Sequence, residues 1–230
     1  MDSNAATAEL IGNGLVTLAA AFLGAWIAFG LEGNSRNKDK EDENVASGNR
    51  ALFTLLQIWN KQKQYQKEII DTYRTRDDSW FNMPAGSPIG DGSLVFDMKE
   101  LSFALQTKGS IVQFLFLEAD RFGSVAQLID ERNKIVLSEV WPRLSTAKIP
   151  RGQRMDSNEI RDILTVGIVR QLEVLTDGII KNLDENVISS RALFNQFRIA
   201  LKEIYPKRKF IDFGEELAPA VDTKKAEPMS

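Results

Sequence analysis

The chain contains no cysteine and no histidine. The first absence excludes disulfides, thiolate nucleophiles and thiolate metal ligands, and the second excludes an imidazole base or ligand. Zinc centres, papain-like sites and Ser-His-Asp triads fall away together. So does a di-iron bundle, whose Glu-x-x-His motifs need histidine. Missing cysteines suit a reducing compartment without requiring one. An imbalance of charge is missing too: 29 Lys and Arg stand against 32 Asp and Glu, a formal net charge of −3. Without a basic stripe interleaved with stacking aromatics, no nucleic-acid partner is expected. Gly90 and Gly92 are too isolated to form a phosphate-cradling loop. No cofactor, no metal ligand and no catalytic residue are nominated.

What is present begins with Leu10 to Leu31, "LIGNGLVTLAAAFLGAWIAFGL", which carries no charge. As a helix it is about 33 Å long, against a hydrocarbon core of about 30 Å. The residues before it include Asp2 and Glu9 and no Lys or Arg. A cleavable signal peptide would want the opposite, so the segment reads as a retained transmembrane helix behind a short segment 1–9. Arg36, Lys38 and Lys40 follow the span, which by the positive-inside rule places the C-terminal part in the cytoplasm. The expected location is the cytoplasmic (inner) membrane of a prokaryote. Ala20, Gly24 and Ala28 recur every four residues and form one small-residue face, a candidate surface for oligomerisation in the bilayer. The competing account is that alanine and glycine are simply common in anchors. A rival for the whole segment is a buried helix of a soluble fold, although such helices rarely run so long without charge.

Residues 32–44, a stretch dominated by "GNSRNKDKEDEN", lack apolar groups to pack and read as a solvated tether. From 45 to 213 the pattern is helical. A first helix is expected from about Val45 to Tyr73, with a polar middle suggesting that only its two ends meet a core. Asp77 to Ser93 holds two prolines and three glycines and reads as a loop, with Trp80 and Phe81 pinning it or forming a binding tip. Asp97 and Glu100 have capping-box spacing for a short helix to about Thr107, stopped at Lys108 and Gly109. Ser110 and Gln113 repeat that spacing before a central helix from Ile111 to about Val140, closed by Pro142. Its stripe is Ile111, Phe114, Leu115, Phe122, Val125, Ile129, Val136 and Val140. Asp156 and Glu159 open another helix with Ile160, Leu164, Ile168, Gln171, Leu175 and Ile179 on one face, and Gly167 and Gly178 placed for close approach. A last helix is expected from near Asp184 to Pro206, and residues 214–230 read as a disordered tail. The fold class expected is all-α, a single N-terminal transmembrane helix followed by an antiparallel helical bundle.

One helix carries charge in its apolar stripe. At about 100° per residue, Glu118 falls in the middle of that face, with Arg132 near it in azimuth and Arg121 toward its edge. A buried carboxylate needs a partner. Either Glu118 lines a cavity as a ligand or proton acceptor, or it belongs to a structural ion pair with Arg121 or an arginine of the next helix, such as Arg170. Lys207, Arg208 and Lys209, beside Phe210, Ile211 and Phe213, either rest against anionic lipid or form a surface cluster with the aromatics tucked onto the bundle.

The function these features favour is a membrane-anchored interaction, scaffold or regulatory domain. Its partners would be the lipid bilayer and either another protein or further copies of itself. The alternatives are an oligomeric effector that perturbs the bilayer and a carboxylate-dependent enzyme built on Glu118.

Overall fold

A computed structural model describes residues 36–86, 88–90, 94–149 and 156–213. The Leu10 to Leu31 span, its Ala20, Gly24 and Ala28 ridge and the 214–230 tail lie outside the described residues. The chain divides between Ala46 and Ser47, and the unit beginning at Ser47 holds the bundle. Among the described residues there is no strand, and no helix is long and apolar enough to cross a membrane.

Five helices make up the described chain. Helix α1 covers 36–65 and continues through a π-helical turn, Gln66–Ile70, into Asp71–Tyr73. A single turn, α2, spans Ser79–Asn82. Helix α3 runs Ser102–Ile135, passes through a second π-helical turn, Val136–Val140, and ends with Trp141–Thr146. Short α4 is Ser157–Ile163, and α5 is Val166–Ile204. The 36–44 stretch, expected as a tether, is helical and mostly exposed.

Partner pairs fix the directions. Along α5, Leu201, Ser190 and Asp184 meet Gly48, Gln62 and Gln66 of α1 in turn, so those helices are antiparallel. Glu203, Ser189 and Thr176 meet Lys108, Glu118 and Arg132 of α3 in the same sense. Helices α1 and α3 are therefore parallel to each other, which departs from a wholly antiparallel bundle. The reason is the long connection 74–101, which returns the chain along the bundle before α3 starts.

Leu52, Leu55, Ile58, Leu115, Phe122, Phe194, Phe197 and Leu201 are fully buried where all three long helices meet. Beyond the end of α1, the pair α3 and α5 would expose apolar surface. Trp80 of α2 and Ile160 and Leu164 near α4 cover it, packing with Ile135, Val140, Leu144, Ile168 and Leu172. Trp80 thus pins the crossover, with Phe81 tilted against it.

Several sequence expectations change. The polar middle of α1 does face the core, through Gln62, Tyr65 and Gln66, all buried. The stop at Lys108 is a kink inside α3, where Lys108 takes φ −138° and ψ 42° while the helix carries on. Pro142 does not close that helix, because it sits in the first turn after the π segment, where a missing N–H costs least. No helix begins near Asp184. The break comes earlier, at extended Leu164 and Thr165, and α5 then runs uninterrupted. Phe114 and Gln171 point outward, a Cβ on Gly167 would meet nothing within 4 Å, and one on Gly178 would touch Leu128 at 3.7 Å. The Asp156 capping box is as expected, its carboxylate accepting from the Asn158 amide at 2.7 Å while Glu159 accepts from the Asp156 amide. Asp97 accepts from the Lys99 amide at 2.7 Å, but Glu100 reaches Arg50 of α1 instead of its own turn.

Candidate functional site

Glu118 occupies the apolar face of α3 because helical spacing places it between Leu115 and Phe122, and its side chain is 2% exposed. Ser189 of α5 shares its one hydroxyl hydrogen between Oε2 at 2.9 Å and Oε1 at 3.1 Å. Arg121, one turn on and 47% exposed, brings Nη1 to 3.6 Å from Oε2. A carboxylate has about four acceptor positions, so one hydroxyl and a loose ion pair leave it short of partners. Burial raises its pKa above the ordinary carboxylate value, and the Ser189 hydrogen bond and Arg121 offset only part of that.

Glu118 floors a shallow groove of about 270 Å³ whose walls include Phe114, Leu117, Ala192 and Leu193. Phe114 is 51% exposed and Leu117 41%. Ile188 and Ile199, also largely exposed, lie four residues before and seven after Ala192, on the same side of α5.

Behind the groove a polar layer crosses all three helices. Asn186 donates to the Arg121 carbonyl at 3.4 Å, Ser190 donates to the Asn186 carbonyl at 2.7 Å, and Gln62 of α1 faces Ser190. One turn away, Gln66 donates to Asp184 at 2.7 Å, and Arg74 joins both Asp184 and Asp71. A wider cleft of about 750 Å³ lies there, lined by Arg74, Arg76, Lys181 and several carboxylates. Arg74 and Arg76 are already paired, the latter with Asp78, so their charges are spent within the fold.

Arg132, grouped with Glu118 by azimuth, does something else. Fourteen residues of helix separate them by about 21 Å. Arg132 is 1% exposed and donates to Thr176 Oγ1 at 3.0 Å and to the Trp80, Met83 and Pro84 carbonyls at 3.2, 2.5 and 3.3 Å. Neighbouring Asn133 donates to the Gly86 carbonyl at 2.8 Å. No carboxylate is among these partners. Burial pulls the guanidinium pKa down to about 10, leaving it charged at neutral pH. Tyr65 beside it is pushed up by burial, with Arg132 opposing the shift. Arg132 is a clasp for the crossover connection.

Arg170, named as a possible partner of Glu118, is exposed on α5. Lys207 and Lys209 are exposed and Arg208 half-buried on the turn after α5. The segment behind them folds onto the bundle: Phe210 is buried, Ile211 donates its amide to Asn49 at 3.0 Å, and Phe213 packs tilted against Phe194 and edges Trp59. Among the described residues, no group of three or more acidic side chains is placed to hold a metal ion.

Sequence reasoning found Glu118 and Arg121 but missed Ser189, Asn186 and Gln62, which carried no signal beyond being polar in helices. It put Phe114 inside. The usable signal was the spacing of Phe114, Leu117 and Arg121 at i, i+3 and i+7, a second stripe on α3 beside the core one.

The class these features define is a helical bundle with a clasped crossover, a polar central layer and an apolar groove floored by a buried acid. No protein family, curated protein or solved structure matches the chain.

Proposed function

We propose that this protein is a membrane-anchored helical interaction domain, with no identifiable catalytic activity, that scaffolds or regulates a partner. The observation that carries the reading is the groove walled by Phe114, Leu117, Ala192 and Leu193, in which Phe114 and Leu117 are large apolar side chains left in water. Such a cluster costs solubility, and covering it by a partner removes the cost. The anchor rests on the uncharged run from Leu10 to Leu31, and the cytoplasmic side of an inner membrane on Arg36, Lys38 and Lys40. The exposed Lys207 and Lys209 turn would face anionic lipid when the bundle lies near the membrane, at roughly 1 kcal/mol per charge.

Fractionation tests this directly. A C-terminally tagged chain should remain in membranes after a carbonate wash, and its tag should resist protease until the cells are opened. A chain that washes off refutes the anchor, and a tag cut in intact cells refutes the orientation. Ala20, Gly24 and Ala28 supply the oligomer face in this reading. Gly24→Ile should therefore reduce cross-linking within the membrane, and an unchanged oligomer would remove that role from the ridge.

A further inference from the structure

We propose that the α3/α5 groove is an interface between two copies of this chain, in which Arg121 of each copy seats against Glu118 of the other. The proposal goes beyond the anchor's small-residue ridge and places a contact in the bundle itself.

The groove follows the seam between α3 and α5, a shape into which a helix can lie. Along α5 its walls run from Ser189 to Gln196, about 10 Å, with Phe114 and Leu117 beside them on α3. A helix docking there would be read by apolar anchors spaced at i, i+3 and i+7. The floor adds a charge requirement, because the Glu118 carboxylate has acceptor positions unmet by Ser189 and only a loose contact with its own Arg121. A suitable occupant is therefore an amphipathic helix with a basic residue in its apolar stripe.

The chain carries such a helix on this same face. Phe114, Leu117 and Arg121 form that stripe on α3, and Arg121 is half in solvent, free to turn outward. Socket and plug lie on one patch, which is what a two-fold, self-complementary interface requires. An antiparallel crossing of α3 on α3 centred between Glu118 and Arg121 brings each guanidinium to the other carboxylate. It covers Phe114 and Leu117 of both copies, and exchanging a loose internal pair for a desolvated one across the axis fixes the register.

The absence of cysteine makes a clean test. Leu117→Cys in the full chain, treated in membranes with a short bismaleimide, should give a product of twice the chain mass at least tenfold above Lys67→Cys, a control on the exposed side of α1. The product should persist with Gly24→Ile, fall at least tenfold with Arg121→Glu, and survive Arg121→Lys; circular dichroism checks that each variant stays helical. Yield no higher than the control overturns the interface. So does a product that vanishes with Gly24→Ile, since proximity would then belong to the anchor, or a product containing a different protein. Indifference to Arg121→Glu overturns the paired register. The anchored reading fails separately: a chain that washes off membranes yet cross-links through Leu117→Cys would lose its anchor and keep this surface.

Discussion

Two buried ionisable side chains on one helix are handled in opposite ways. Arg132 is fully buried with four acceptors and no counter-ion, while Glu118 is buried with one hydroxyl and a loose ion pair to Arg121 at 3.6 Å. Truncating Arg132 leaves the Trp80, Met83 and Pro84 carbonyls and Thr176 without their donor and opens a cavity. Arg132→Ala should lose about 3–4 kcal/mol in urea unfolding and speed chymotryptic cleavage near Trp80 and Phe81. A loss below about 1 kcal/mol with unchanged cleavage would mean that water replaces the guanidinium and that the clasp does not hold the crossover. Glu118 gives a pH signature. Its pKa in the folded chain lies above the ordinary carboxylate value, so its contribution to stability is full below that ordinary value and is lost as pH rises through the raised one. Glu118→Gln carries no such titration. Relative to wild type it should gain stability between acid and neutral pH, read from urea midpoints at each pH, and a constant difference would refute burial as the dominant influence.

At the scale of elements, one cap and one terminal proline were legible in the sequence: Asp156 with Glu159, and the end of α5 before Pro206. Asp97 with Glu100 and Ser110 with Gln113 form no capping box, the second pair lying inside α3. Interior signals were less reliable. Lys108 and Gly109 read as a stop, yet packing of α3 on α5 carries the helix through them with one distorted residue. Pro142 read as an end, yet the π turn before it absorbs the lost hydrogen bond. Glycines show the same dependence on packing. A Cβ on Gly123 would meet nothing within 4 Å, so Gly123→Ala should raise stability by about 0.5–1 kcal/mol through its helix preference. A Cβ on Gly48 would sit 2.9 Å from Leu201 Cδ2 and 3.4 Å from Phe210 Cε1, both packed in the core. Gly48→Ala should cost about 1–3 kcal/mol. Urea midpoints moving in opposite directions would bear this out, and Gly48→Ala matching wild type would show that Leu201 gives way to the added methyl without cost.

At the scale of the whole molecule, the sequence by itself determined that the fold is helical, where most apolar stripes lie, and that a charged group must be buried on the central helix. These follow from periodicity and residue type, which act within a few residues. It also excluded every chemistry that needs cysteine or histidine. Only the tertiary structure decided that α1 and α3 run parallel, since direction depends on how a long connection packs. The same holds for the partners of the two charges, which stand in azimuth together but about 21 Å apart along the helix. Gln62 belonged to a middle stretch of α1 that read as solvent-facing until packing buried it, and Phe114 looked like core until the stripe beside it took that place. Burial is decided by neighbours distant in sequence, and a helix's own pattern is silent about which of its two stripes those neighbours will cover.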